Sequence, residues 1–260
     1  MSALAAFGIG LLTVIVLLVI VWMIQLFTRN AGLVDAVWAA ALGIIALEYT
    51  LMGDSPVAAR LLMAVLALTW SLRLAEYLAA RMKGRPEDSR YAAARESWGS
   101  RADFYLLAFF VLQAVIAAVL SIPFLVIAYM DDGPSFVTGA LAVVVWFVSV
   151  VGEGTADAQL KAFKAKPENK GKVCREGLWY YSRHPNYFFE SLHWVSYVVL
   201  AIGAGYWWAT LIGPVLMAVL LLKISGIPTV ENKDAAEKRE GHDAYVRTTN
   251  AFIPWPPKND

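Results

Sequence analysis

Residues 4–26 read LAAFGIGLLTVIVLLVIVWMIQL, and this run decides the fold class. It carries no charged side chain and reaches the ~20 residues that a helix needs to cross a bilayer. A secretory signal is the competing reading. Against it, no basic residue precedes the run, the apolar stretch exceeds ~15 residues, and no small-residue cleavage site follows Gln25-Leu26-Phe27. The segment is expected to remain as a membrane helix.

The same pattern recurs at 33–52, 57–80, 104–129, 136–152, 187–204 and 206–224. With 59% hydrophobic residues, ten Trp and a mean hydropathy of +0.56, the chain is more apolar than a soluble domain of 260 residues requires. The expectation is an all-α, polytopic integral membrane protein with seven transmembrane helices and a single membrane domain over 1–260. Lysine and arginine collect after the odd-numbered segments: Arg29, Arg81 to Arg101, Lys161 to Arg183, and the tail from Lys223. The opposite connections carry Asp54, Asp131 with Asp132, and Gly203 to Gly205. By the positive-inside rule the N-terminus lies outside and the C-terminus in the cytoplasm. The lipid membrane is then the chain's first partner, a bacterial inner membrane or, in a eukaryote, the endoplasmic reticulum.

A net charge of +1 gives no electrostatic case for nucleic acid. The single Cys174 forbids an internal disulfide, and with His184, His193 and His242 it does not make a metal site.

Against this apolar background, Ser182 to Glu190 reads Ser-Arg-His-Pro-Asn-Tyr-Phe-Phe-Glu at the mouth of the sixth segment. Polar side chains there must face protein, water or a ligand, because unsatisfied ones cost several kcal/mol in hydrocarbon. Asn186, Glu190, His193 and Tyr197 recur at i, i+4, i+7 and i+11, which is one helix face. Interhelical hydrogen bonding alone explains one such residue. Four in register, preceded by Arg183 and His184, point to a ligand site.

A second stripe, Glu153, Asp157, Lys161 and Lys164, leaves the fifth segment at helical spacing. It reads either as a solvated helix end with acid-to-lysine pairs or as one wall of an anion site, for which a phosphate-bearing cofactor fits. A third cluster surrounds the third segment: Trp70, Arg73 and Tyr77 on one face, Glu76 beside them, then the loop Lys83 to Tyr91. Arg73 can instead snorkel to the interface. Asp35, a turn before Trp38, either caps a helix or enters the site. Glu48 reads as interfacial. Glu231, Asn232, Tyr245, Arg247 and Ile253-Pro254-Trp255 form a polar tail that can fold back over the helices, with Trp255 as an interfacial anchor.

Gly177-Leu178-Trp179 followed by Ser182-Arg183-His184-Pro185-Asn186-Tyr187 and Glu190 resembles the C-terminal signature of the membrane steroid 5-alpha-reductase superfamily. The likeness covers most of the chain. Bacterial members, long grouped as a family of unknown function, share the loop Gly84-Arg85-Pro86-Glu87-Asp88-Ser89-Arg90-Tyr91 and the closing Phe252-Ile253-Pro254-Trp255. Isoprenylcysteine methyltransferases resemble it at Arg183-His184-Pro185, a glutamate near 231 and a tyrosine near 245, so those residues alone do not choose between the two. Asn186 tilts the choice to the reductases.

The resemblance implies NADPH. It places Asn186 at the nicotinamide end, Asp157, Lys161 and Lys164 along the cofactor, and Arg73 and Arg85 on the diphosphate. Arg90, Tyr91, Arg183, His184, Tyr187, Glu190, Glu231 and Tyr245 complete the implied cofactor set. Residues 1–103 would then supply the N-terminal helices and a substrate-side loop, and 104–260 the cofactor-binding helices and tail. Asp35 falls where steroid reductases carry a catalytic glutamate, with Trp70 at the place of its partner tyrosine and Arg73 close by. The expected reaction is reduction of the 4,5 double bond of a 3-oxo-Δ4 steroid entering from the bilayer. Hydride reaches the β carbon, and Asp35, kept protonated by burial without a cation, donates to the enolate oxygen. The rival expectation is S-adenosylmethionine-dependent methyl transfer. Four departures stand out: Val34 for the glutamine before the acid, Trp70 or Ser71 for the tyrosine, Phe189 for the glycine before Glu190, and Ile227 with Glu231 in the tail.

Overall fold

The structure, a computed structural model, describes residues 1–231 and 239–258; Asn232 lies outside them. It is helical, with no strand among the described residues beyond an isolated bridge between Lys172 and Glu240. The helices are α1 (Ala3–Thr28), α2 (Leu33–Met52), α3 (Val57–Met82), α4 (Ser89–Trp98), α5 (Ala102–Leu120), α6 (Ile122–Ala128), α7 (Phe136–Ala165), α8 (Leu178–Tyr181), α9 (Pro185–Leu200), α10 (Ile212–Val219), α11 (Ile227–Val230) and α12 (His242–Thr248).

Six stretches are long and apolar enough to cross a membrane: α1, α2, α3, Ser89–Ala128, α7 and Trp207–Val230. The sixth segment of the sequence, 187–204, is α9. Its 16 residues extend about 24 Å, short of the ~30 Å hydrocarbon layer. Pro185 opens it, and Gly203 in the left-handed region, φ 104°, closes the turn behind it. The fourth stretch is jointed because Ser121 follows the end of α5 and Pro123, lacking an amide hydrogen, sits in the first turn of α6.

The chain divides into two compact units, Met1–Gly139 with Tyr197–Gly213, and Ala140–Ser196 with Pro214–Asp260. The sequence division at 103/104 falls inside the first unit, because α5 packs along α1.

In the first unit α1 buries only Ala6, Gly10, Val14, Leu18, Val21 and Gln25, one stripe at spacings of three to four. Leu4, Leu12 and Phe27 stay exposed, as suits a helix apolar on all sides with lipid as its solvent. Gly43 lets α2 and α3 approach closely: a Cβ there would stand 2.5 Å from Ser71 Oγ. Glu48, read from sequence as interfacial, accepts from Thr13 of α1 at 2.7 Å with its second oxygen buried. The second unit takes in α7 from Ala140, α8, α9 to Ser196, and the C-terminal segments. Within it Phe163, Cys174 and Trp179 form a small apolar cluster, where burial pushes the Cys174 thiol pKa up.

Candidate functional site

Each unit carries its own polar constellation. In the first, the α3–α4 connection is drawn back over the start of α2, because Glu87 accepts from the Ala31 amide at 2.8 Å and from Arg95 at 2.9 Å. This sets Arg90 and Tyr91 against Asp35. Arg90 Nη2 lies 2.8 Å from Asp35 Oδ2, and the Tyr91 hydroxyl donates to Oδ1 at 2.6 Å. Asp88, the N-cap of α4, holds the same guanidinium at 2.9 Å and 3.2 Å, and Arg81 at 3.2 Å. Burial opposes ionisation of Asp88, yet the Arg90 hydrogen bonds outweigh it and keep its pKa below the usual carboxylate range.

Asp35, expected to be buried without a cation, has the Arg90 guanidinium against it and accepts from Arg90 and Tyr91. Arg90 and Tyr91, implied as cofactor contacts, direct their polar groups at Asp35 and Asp88. Trp70 is wholly buried in α3 and offers no hydroxyl; Ser71 spends its own on the Ala39 carbonyl at 2.7 Å. A tyrosine does meet the acid, but it comes from α4. Arg73 is half-buried on α3, whereas Arg85 is exposed in the loop.

Sequence reasoning missed Gln113, the sole amide between Phe104 and Ala128. That solitude in an apolar run was the available signal. Its side chain lies beside the Tyr91 hydroxyl, and its backbone carbonyl accepts from Trp38 Nε1 at 3.0 Å. Its Nε2 is buried, and the Tyr91 hydroxyl is the hydrogen-bond partner within its reach.

In the second unit the acid–lysine stripe of α7 splits. Glu153 and Asp157 are buried, while Lys161 and Lys164 are exposed. Asn186 Nδ2 donates to Asp157 Oδ1 at 3.2 Å. A carboxylate only accepts, so the amide turns its nitrogen to Asp157 and its oxygen away. The Asn186 Oδ1 is buried with no hydrogen-bond partner among the described residues. Glu190 and His193 continue the buried face, and Tyr197, in the first unit, packs edge-on to Phe124 at 4.8 Å. Phe189 is accommodated by a glycine on the neighbouring helix: a Cβ on Gly152 would stand 2.5 Å from its ring.

Arg183, His184, Glu231 and Tyr245 do come together, as a brace. Arg183 Nε and Nη2 reach the two Glu231 oxygens at 2.7 Å and 3.1 Å, and Nη1 donates to the carbonyls of Val246 and Thr249 at 3.1 Å and 2.8 Å. Four of the five guanidinium hydrogens are thus engaged, which leaves little for a phosphate. His184 donates through Nε2 to Glu231 at 2.8 Å and stacks on Tyr187 with 5.3 Å between centroids. Burial opposes ionisation of Glu231, but hydrogen bonds from His184 and Arg183 draw its pKa down from 4.5 to about 2. Tyr245 is buried with its hydroxyl on the carbonyls of Trp179 and Ser182; burial pushes its pKa up. The Ser182 hydroxyl donates to the Phe252 carbonyl at 2.8 Å, and the Trp255 amide to that of Tyr181 at 3.0 Å, so the tail clasps α8.

No curated protein and no solved structure matches the chain. One family does, described as "Protein of unknown function (DUF1295)", over residues 21–249. That span contains both constellations and nearly all the helices, and the chain therefore belongs to the DUF1295 family.

Proposed function

We propose that the chain is an NADPH-dependent reductase of an apolar enone of the 3-oxo-Δ4 steroid class. The observation that carries this reading is the Asn186 amide, with its nitrogen pinned by Asp157 and its oxygen buried and unanswered. An orphaned buried acceptor costs about 1–3 kcal/mol, so it fits a ligand that brings an N–H donor, as a nicotinamide carboxamide does. When bound, NADPH supplies the hydride that saturates the double bond. Asp157 orients Asn186, and Lys161 and Lys164 carry the positive charge that phosphates need. Arg183 and His184 hold the start of α9 in place through Glu231 and do not touch the ligand.

At the substrate, the Tyr91 hydroxyl exchanges its acceptor from Asp35 to the ketone as negative charge builds on that oxygen. Before that exchange Asp35 holds the phenol in place, and Arg90 balances Asp35. A donor so placed contributes about 10²–10³ in rate. The surrounding helices form seven spans, with α9 as a short sixth, the N-terminus outside and the C-terminus cytoplasmic, as the lysine and arginine distribution favours.

Membranes containing the protein, given NADPH and progesterone, are expected to yield the 5-alpha-reduced steroid. No such product from protein that binds NADPH rejects the substrate class. Methyl transfer is the second reading, favoured by the meeting of Arg183, His184, Glu231 and Tyr245. The same membranes given S-adenosylmethionine and an isoprenyl thiol test it.

A further inference from the structure

We infer that Glu48 and Thr13 form a second, lipid-facing ligand site in the first unit, and that it takes the hydroxyl group of an apolar alcohol dissolved in the bilayer. The site shares no residue with the cofactor and carbonyl groups described above. Two observations carry it: an unanswered carboxyl oxygen, and an apolar stripe on either side of it. Glu48 Oε1 accepts from the Thr13 hydroxyl at 2.7 Å, whereas Oε2 is buried with no hydrogen-bond partner among the described residues. The donors next along α2 are spent elsewhere. The Tyr49 hydroxyl pairs with Ser121 Oγ at 3.1 Å, and that of Thr50 donates to the Ala46 carbonyl at 2.8 Å. An acceptor left empty inside a membrane is costly, and an ionisable side chain there is the usual sign of a binding site.

Glu48 lies within the exposed face of α2. Ile44, Leu47 and Leu51 are exposed, and with Glu48 they stand at i, i+3, i+7 and i+4. On α1 the exposed Ile9, Leu12 and Val16 bracket Thr13 at the same spacing. The Thr13–Glu48 hydrogen bond therefore crosses the floor of a seam between two apolar stripes that face lipid. Because the terminal torsion of a glutamate is broad, the carboxyl turns Oε2 toward the seam at little cost. Glu48 stands four residues, about 6 Å, before Met52 at the end of α2. A bilayer alcohol keeps its hydroxyl at such a level, just under the headgroups, and here its body would run inward along Leu47 and Ile44. The alcohol brings one O–H, which matches the one empty oxygen. An ammonium brings three N–H groups and finds a single free acceptor between apolar walls. The seam thus selects for a hydroxyl over both a plain hydrocarbon and a cation.

The test uses the full chain in nanodiscs of phosphatidylcholine, whose headgroup carries no hydroxyl donor, and reads thermal stabilisation by oleyl alcohol, 1-octadecene and oleylamine. Wild type is expected to bind the alcohol about tenfold more tightly than the hydrocarbon, the contribution of one hydrogen bond to a carboxyl group. Unliganded Glu48→Leu is expected to melt at or above the wild-type temperature, because the orphan is gone and Thr13 can turn its hydroxyl to the carbonyl one turn earlier. It should lose the preference for the alcohol. Thr13→Val retains the carboxyl group and should keep that preference in full, which decides the matter even if Glu48→Leu fails to fold. Equal stabilisation of wild type by alcohol and hydrocarbon, a preference that survives in Glu48→Leu, or one that is lost in Thr13→Val would each overturn the site. Stronger stabilisation by oleylamine than by oleyl alcohol would overturn the hydroxyl assignment. No readout involves NADPH or turnover, so the result stands apart from the reductase reading.

Discussion

Arg183 and Glu231 face one another fork to fork, 48 residues apart in sequence, with Nε 2.7 Å from Oε1 and Nη2 3.1 Å from Oε2. His184 adds a third donor at 2.8 Å. Glu231's pKa is depressed on folding, so its contribution is present in full above pH 4.5 and is lost as pH falls through about 2. A shift of that size is worth about 3 kcal/mol. Melting temperature should therefore drop between those two pH values in wild type, and that drop should be smaller in Glu231→Gln. An identical acid profile for the two proteins would remove Glu231 from the account.

Arg183→Lys keeps the charge but loses the planar fork and the carbonyl contacts of Nη1. Thermal stability should fall by about 2 kcal/mol, with NADPH affinity nearly unchanged. A large loss of affinity at preserved stability would return Arg183 to the cofactor.

Gly152→Ala drives a methyl group into the Phe189 ring, and overpacking of this kind costs about 1–3 kcal/mol. Phe189→Ala in the same chain should restore part of the loss, which a double-mutant cycle of melting curves reads directly. Additive effects would mean that the two helices do not meet there.

Most of the helical layout was legible in the sequence, because apolar runs of bilayer length have few other uses. The exception is α9, where hydropathy ran on through Leu200 to Ala204 and hid a helix that stops at 16 residues. The stripe of α9 from Asn186 to His193 was legible from its period, whereas burial of the helix takes in Ser191, Trp194 and Ser196 as well as Glu190 and His193. Pairings across long loops were not legible. Tyr91 lies 56 residues from Asp35, and only the fold of the α3–α4 connection, held by Glu87, brings them together. Likewise, lysines 161 and 164 share a stripe with Asp157, but spacing alone did not say where burial would end along α7.

Tyr91→Phe removes the phenolic donor and leaves Arg90 on Asp35. Turnover of an enone should fall about a hundredfold with NADPH affinity retained, measured by single-turnover reduction and thermal shift in parallel. Asp35→Asn should also slow turnover, because the phenol loses its charged acceptor. Unchanged rates in both would move the carbonyl site elsewhere.

The most direct test is ligand-induced stabilisation of the detergent-solubilised protein by NADPH and by S-adenosylmethionine, in wild type and Asn186→Ala. At about 100 times Kd a ligand confined to the folded state adds about 2.7 kcal/mol. The expected result is a rise in melting temperature with NADPH alone, much reduced in Asn186→Ala. Stabilisation by S-adenosylmethionine instead, or an NADPH response indifferent to Asn186, would contradict the account.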